Sequence, residues 1–207
     1  MKGSIKIRQE QPADYAAVRE LVKKSFATLS DDDGTTHDYL DKLREKEVFI
    51  PELSLVAESE SGQILGQVVL YHTDIKSAND NFTEVTLAPT FICPEHYKED
   101  FVRPETATHE KAKNLGLLVL SPICVHPDYF KQGIARAMME ASFEKAKALG
   151  YKAVFLCGEP AFYNKLGFVP TYQYGIYHIK DKKADWCMVR ELISGALKNI
   201  TGTIDIV

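Results

Sequence analysis

The sequence predicts a mixed α/β fold: a mostly antiparallel central sheet covered by helices on both faces. Three observations carry that expectation. Two strand-like runs, Leu53 to Glu58 and Gln63 to Tyr71, flank the polar, Gly-bearing turn Glu60-Ser61-Gly62, a hairpin signal. The nearly continuous apolar run Leu117 to Val125 has the pattern of a central strand covered on both sides. Helical patterns lie before the hairpin and after that central run, so the order is not the regular alternation of a doubly wound sheet.

Each element follows from its own residues. Ser4 to Arg8 alternates polar and apolar side chains and predicts a half-buried first strand. Pro12 suits a helix start, where its missing N–H is no loss, and Ala16, Ala17, Leu21, Val22 and Phe26 are expected to form the buried stripe. That helix should end before the acidic turn Asp31-Asp32-Asp33-Gly34. A second helix is expected over Asp38 to Glu45, with Tyr39, Leu40 and Leu43 inward. Residues 72–114 are irregular. Phe82 to Leu87 reads as a strand, but Pro89, Pro94 and Pro104 break the rest. A connection of that length in a compact domain is expected to be a lid or binding loop beside a site.

Pro122 inside the central run cannot donate to a ladder, which predicts a bulge or an unpaired position there. Gly133 to Leu149 is expected to be a helix, with Ile134, Ala137, Met138, Ala141 and Ala148 on its inner face and Gly150 as its C-terminal cap. Ala153 to Cys157 predicts a short buried strand, and Pro160 to Lys165 a brief helix closed by Gly167. Phe162, Leu166 and Phe168 are expected to anchor that helix in the core. A strand begins at Phe168-Val169, another covers Asp185 to Leu192, and Thr203 to Val207 forms a short last one. Residues 1–207 are read as one domain, with 185–207 as its C-terminal strand and tail.

Composition narrows the function. The 207 residues are 45% hydrophobic and 26% charged, the make-up of a folded chain rather than a disordered one. A net charge of −4 and a pI near 5.9 disfavour a nucleic-acid partner, which calls for a basic surplus, and are compatible with a cationic substrate. No apolar stretch reaches the roughly 20 residues of a membrane span, and the first residues do not form a signal peptide. The four cysteines form no Cys-x-x-Cys pair, so neither a disulfide framework nor a metal site is expected. These features predict a cytoplasmic enzyme or binding protein without a metal.

Two segments carry chemistry. The first is Val125-His126-Pro127-Asp128-Tyr129-Phe130-Lys131-Gln132-Gly133, a loop that delivers the central strand onto a helix start. The first N–H groups of a helix have no intrahelical acceptor, and the macrodipole is positive there, so such a loop suits a phosphate. A glycine that only relaxes a strand-to-helix turn has the same appearance. Gly-x-x-x-x-Gly-Lys-Ser/Thr and Gly-x-Gly-x-x-Gly signatures are both lacking. The second segment is Glu159-Pro160-Ala161-Phe162-Tyr163-Asn164-Lys165-Leu166-Gly167-Phe168. Tyr163 is its one proton donor of interest, because a phenol is neutral at pH 7.

At their spacing these two segments resemble the GNAT superfamily of N-acetyltransferases, most strongly over Leu117 to Val169. The segment from Asp185 to Gly202 is similar to the ending of bacterial members of this length. The resemblance implies a sheet splayed at the strand that meets the cofactor, with acetyl-coenzyme A as cosubstrate. The expected reaction is direct transfer of the acetyl group to a primary amine of a small molecule or peptide. The alternative is a catalytically weak acyl-coenzyme A binding or sensing protein on the same scaffold. Homodimers are frequent in the family.

The implied site residues follow the family motifs. In the Gln/Arg-x-x-Gly-x-Gly/Ala signature, Gly133 and Ala135 match, Phe130 replaces Gln or Arg, and Lys131 replaces a frequent glycine. Lys131, Gln132, Gly133, Ile134, Ala135 and Arg136 are thereby expected around the pyrophosphate, and Ile123, Cys124 and Val125 along the pantetheine arm. Tyr163 matches the family's general acid, and a main-chain N–H at Cys124 or Val125 its oxyanion donor. The central strand holds no carboxylate. Glu84, or Ser121 through a water, is therefore the candidate base, while His126 is expected to orient the loop and Cys124 to be a buried thiol.

Overall fold

The computed structural model describes residues 4–27, 34–73, 75 and 115–206. Its first elements are β1 (Ile5–Gln9), α1 (Tyr15–Phe26), α2 (Thr36–Arg44), β2 (Phe49–Ser59) and β3 (Ile64–His72). After the central strand β4 (Leu117–Val125) come α3 (Ile134–Ala148), β5 (Ala153–Cys157) and α4 (Pro160–Tyr163). The last four are β6 (Val169–Pro170), β7 (Ile176–His178), β8 (Cys187–Glu191) and β9 (Gly202–Ile204). Seven strands follow the order β1-β2-β3-β4-β5-β8-β6, and β7 pairs with β9 in a separate two-stranded sheet. The mixed α/β class is the one the sequence predicts. The chain divides into two compact units, Met1–Tyr71 with Leu120–Ala146, and His72–Val119 with Lys147–Val207.

In the first unit, β1 and β2 run antiparallel from Ile5↔Ser59 to Gln9↔Leu55, and β2 returns antiparallel into β3. Gly62 closes the predicted turn at φ 82°, with its N–H on Ser59 O at 3.0 Å. Helix α1 begins after a 3-10 turn opened by Pro12, and the Asp14 carboxylate accepts the N–H of Gln11 at 2.8 Å. Its buried stripe is Val18, Leu21, Val22, Ser25 and Phe26, whereas Ala16 and Ala17 are exposed. The larger Val18 sets the phase, three and four residues before Leu21 and Val22, and turns the two alanines outward. Helix α2 starts two residues before its expected boundary and buries Tyr39, Leu40 and Leu43 as anticipated.

Both faces of β3 are covered. A Cβ added at Gly66 would lie 2.6 Å from Met138 Cε in α3 and 3.2 Å from the Cys124 carbonyl oxygen in β4. Tyr71, of opposite parity, meets the Tyr39 hydroxyl of α2 at 3.1 Å. Since alternate residues of a strand face opposite ways, α2 and α3 lie on opposite sides of β3. Helix α3 buries Ile134, Met138, Met139, Ser142, Phe143 and Ala146. Ala137 and Ala148 are exposed and Ala141 only half-buried, so the expected alanine face is displaced by Met139 and Phe143, which bury more apolar surface. Gly150 caps the helix at φ 89° with its N–H on Lys147 O.

A buried ion pair closes the first unit. Arg44 donates to Glu10 Oε1 at 2.6 Å and to Asp41 at 2.6 Å, and its guanidinium lies 4.1 Å above the Tyr15 ring. Ser54 Oγ also donates to Glu10, at 2.7 Å. Removing one partner of such a pair strands a buried charge and costs roughly 3–5 kcal/mol.

In the second unit, the start of β4 pairs with β5 in parallel, from Leu117↔Ala153 to Val119↔Phe155. Strand β4 continues unbroken through Pro122, which follows a cis peptide bond. Pro122 stands beyond the β5 register, so its missing N–H removes no bond from that ladder. Strand β8 is antiparallel to β5 along its whole length and also carries the two-residue β6. The parallel pair β7–β9 joins Ile176↔Gly202 to His178↔Ile204. Strand β7 has no counterpart among the expected elements, while β9 covers part of the expected tail strand.

Candidate functional site

The loop after β4 is built from short main-chain bonds. His126 donates its N–H to Leu65 O at 2.7 Å, and its Nδ1 accepts the N–H of Asp128 at 3.3 Å. A 3-10 turn from Pro127 to Tyr129 follows, tied by the Tyr129 N–H on His126 O at 2.9 Å. His126 thus holds the loop's entry through main-chain groups, the orienting role its position suggests. Two residues then take left-handed conformations, Lys131 at φ 60° and Gly133 at φ 82°. Glycine adopts this region freely, and a Cβ at Gly133 would touch nothing within 4 Å. Lys131 does carry a side chain there, at a cost of about 1 kcal/mol.

Helix α3 opens with the bond from Ala137 N–H to Gly133 O at 3.0 Å. The N–H groups of Gly133, Ile134, Ala135 and Arg136 therefore precede any intrahelical acceptor, and the positive end of the helix dipole lies with them. Lys131, Gln132, Gly133 and Arg136 are exposed, Ala135 is half-buried, and Ile134 is buried as the helix's first anchor. Arg136 pairs with Glu140 at 2.9 Å. The unmatched Phe130 is 47% exposed, so its ring is outside the core.

Along β4, Ser121 is fully buried, Ile123 half-buried, and Cys124 and Val125 buried. Ser25 Oγ of α1 donates to Val125 O at 2.9 Å and fixes the strand end. Burial pushes the Cys124 thiol up to about 12, against weaker lowering by Ser25 and by the Gln67 main chain, which holds it as a protonated buried thiol. Gln67 in β3 is fully buried with neither amide atom hydrogen-bonded.

Tyr163 belongs to the second unit. It ends α4, whose cap is Glu159, with the Ala161 N–H on Glu159 Oε1 at 3.2 Å. Only 3% of Tyr163 is exposed. Its ring meets Phe162 and Phe168 edge-on, with centroids at 4.9 and 5.7 Å. A Cβ on Gly158 would come within 2.3 Å of Tyr163 Cε2, so the ring rests where only glycine leaves room. Burial, and secondarily the nearby Cys157, raises the Tyr163 hydroxyl well above the usual phenol range, so it keeps its proton throughout the neutral range. Leu166 and Phe168 are buried as expected, but Phe162 is 45% exposed. Tyr163 takes the inward position instead, because the four-residue helix passes at once into a 3-10 turn.

Glu84, the acidic turn at 31–33, the strand expected at 82–87 and most of 72–114 lie outside the described residues. Sequence reasoning missed Gly158 and Ser25. Gly158 stands directly after a strand and before a helix, the one signal that could have marked it. Among the described residues no three His, Cys, Asp or Glu side chains gather as a metal site, and no helix is long and apolar enough to cross a membrane.

Comparison with known proteins assigns the family. Residues 51–170 match the model of the acetyltransferase (GNAT) domain. The chain is 25% identical over 205 residues to an uncharacterized N-acetyltransferase, YhbS, of Escherichia coli K12, spanning 96% of this chain and 94% of that protein. The crystal structure of Escherichia coli YhbS in complex with CoA superposes with a TM-score of 0.73 at 22% identity, covering 98% of this chain and 89% of that one. A GNAT family acetyltransferase from Brucella melitensis, in complex with acetyl-CoA, gives 0.58 at 22% identity over 80% and 83%. With the family model matched over more than half its length, this chain belongs to the GNAT acetyltransferases.

Proposed function

We propose that this protein transfers the acetyl group of acetyl-coenzyme A to a primary amine by direct attack. The observation that carries the reading is the start of α3. Its N–H groups from Gly133 to Arg136, which precede any intrahelical acceptor, stand where the chain turns through left-handed Lys131 and Gly133, in a segment that the family model covers. That donor set fits a pyrophosphate, since it offers main-chain hydrogen bonds and partial positive charge to an anion. In this reading the main chain from Lys131 to Arg136 holds the pyrophosphate, and Ile123 to Val125 pair with the pantetheine arm.

Acetyl-coenzyme A supplies an activated acetyl group on a thioester. The chain's own residues supply the rest. A main-chain N–H at Cys124 or Val125 donates to the carbonyl oxygen as negative charge develops there. Tyr163, held neutral by burial, gives its proton to the departing sulfur. Ser121 through a water, or Glu84, removes the proton of the attacking amine. Cys124 takes no part as a nucleophile, because its thiol stays protonated.

A screen of amines with acetyl-coenzyme A, read by mass shift, tests the reading. An acetylated product that depends on Tyr163 supports it. Stabilisation by coenzyme A with no amine ever acetylated would instead leave a coenzyme-binding or sensing protein.

A further inference from the structure

We propose that Cys157 and Cys187 are a modification site: they form a reversible cross-strand disulfide whose state is transmitted to Tyr163. The two residues are far apart in sequence but directly opposite in the antiparallel register of β5 and β8. Gly158 and Trp186, the next pair along, are joined by a main-chain bond from Gly158 N–H to Trp186 O at 2.9 Å. Paired positions alternate along such a ladder, so Cys157 and Cys187 occupy a non-hydrogen-bonded pair. There the Cα atoms approach to about 4.5 Å and the side chains lie closer than at the bonded pairs. That separation lies within the roughly 4.4–6.8 Å that a disulfide spans.

The side chains already face each other. Cys157 and Cys187, directly opposite on neighbouring strands, point to the same face of the sheet. Thr171 Oγ1 donates to Cys187 Sγ at 3.5 Å, and Cys157 Sγ donates to Ile206 O at 3.2 Å.

The oxidant is hydrogen peroxide. One thiol attacks it and becomes a sulfenic acid, releasing water. The second thiol attacks that sulfur and releases another water. Two protons and two electrons leave the thiols, and the peroxide is reduced to two waters. A thiol reductant reverses the bond. Burial holds the Cys157 thiol protonated, which makes the oxidation slow rather than forbidden.

Transmission follows from the next residue. Gly158, adjoining Cys157, is the surface against which the Tyr163 ring rests, with no room for a Cβ. Forming the bond consumes the S–H that donates to Ile206 O and pulls on the main chain at 157–158, the surface on which the ring rests. The effect on acetyl transfer rests on the function proposed above; the disulfide itself does not.

The test uses the full chain, reduced, then treated with hydrogen peroxide and alkylated in denaturant. Before alkylation the oxidised chain is lighter than the reduced one by two hydrogen atoms. Cys157 and Cys187 resist alkylation, Cys93 and Cys124 still react, and dithiothreitol restores the reduced mass. Transfer slows several-fold in the oxidised protein and recovers on reduction. Cys187→Ala, with Cys187→Ser as a second variant, keeps the reduced rate and loses the peroxide response. Full alkylation of Cys157 and Cys187 after treatment, or a disulfide to a different cysteine, overturns the proposal. A disulfide that forms with no change in rate overturns the link to Tyr163. If no amine is acetylated even by reduced protein, the functional reading has failed. Near-ultraviolet circular dichroism of the Tyr163 ring, with Tyr163→Phe as the blank, then decides the link.

Discussion

The loop before α3 and the corner around Tyr163 solve their chemical problems by opposite means. The loop is exposed at Phe130, Lys131, Gln132 and Gly133, and it presents main-chain N–H groups. In the corner the Tyr163 ring is buried against Gly158 and Phe168. A site made of backbone tolerates changed side chains as long as its dihedral angles survive. A site made of one side chain depends on the shape of every neighbour.

The sharpest way to break the comparison is Tyr163→Phe. Loss of a general acid lowers the rate by about 10²–10⁴-fold. The fold and the coenzyme affinity should be nearly unchanged, as steady-state kinetics and calorimetry would show. An undiminished rate at every pH would remove Tyr163 from the mechanism.

Next come two identical changes at different glycines. Gly158→Ala places a Cβ 2.3 Å from the Tyr163 ring. Overpacking of that kind costs roughly 1–3 kcal/mol, and thermal melts should show it together with slower turnover. In the double variant with Tyr163→Phe the rate losses should not add, since both act through one hydroxyl. Gly133→Ala meets no atom and costs only the left-handed conformation, about 1 kcal/mol. Its main symptom should be weaker coenzyme binding, measured by titration, with turnover at saturation preserved.

Lys131→Gly should have the smallest effect among the substitutions. It relieves the strain at φ 60° while freeing the unfolded chain, two terms of similar size and opposite sign. Stability should move by less than about 1 kcal/mol, and coenzyme affinity should fall modestly, with a weaker salt dependence, if the ammonium touches phosphate. A loss as large as that of Gly133→Ala would mean that the loop depends on side chains after all.

Acid and alkali separate the two units more gently. The Arg8 hydrogen bond holds the Asp14 carboxyl below its ordinary 3.8. That stabilisation is complete above 3.8 and is lost as pH falls through the folded value, so Asp14→Asn should flatten the acid limb of an unfolding curve. Tyr163 is shifted the other way by burial. Its contribution is fully present below 10.0 and is lost as pH rises through its folded value, a limb missing from Tyr163→Phe.

The sequence made the local features legible. The hairpin turn at Gly62, the α3 start at Gly133 and the caps at Gly150 and Gly167 are each set by a few adjacent residues. It misjudged what is decided at a distance. Ala16, Ala17, Ala137 and Ala148 fit an apolar stripe, yet larger neighbours took the buried phase. Phe162 lost its core place to Tyr163 because a helix of four residues has no stable periodicity of its own. Strand β7 is only three residues long, and its partner Gly202–Ile204 comes from the end of the chain. The pairing of Cys157 with Cys187 and the burial of Glu10 against Arg44 likewise depend on partners that no local window contains.

Gly66 has a meaning for the history of the protein. A Cβ there would strike the Met138 thioether, which can bend away, and press on the Cys124 carbonyl, which cannot easily do so. Helix α3 is thus seated on β3 at a depth that glycine sets, and the same helix begins with the N–H groups of the proposed coenzyme loop. Among relatives, a larger residue at position 66 should occur with a smaller one at 138, and the two sites should drift as a pair.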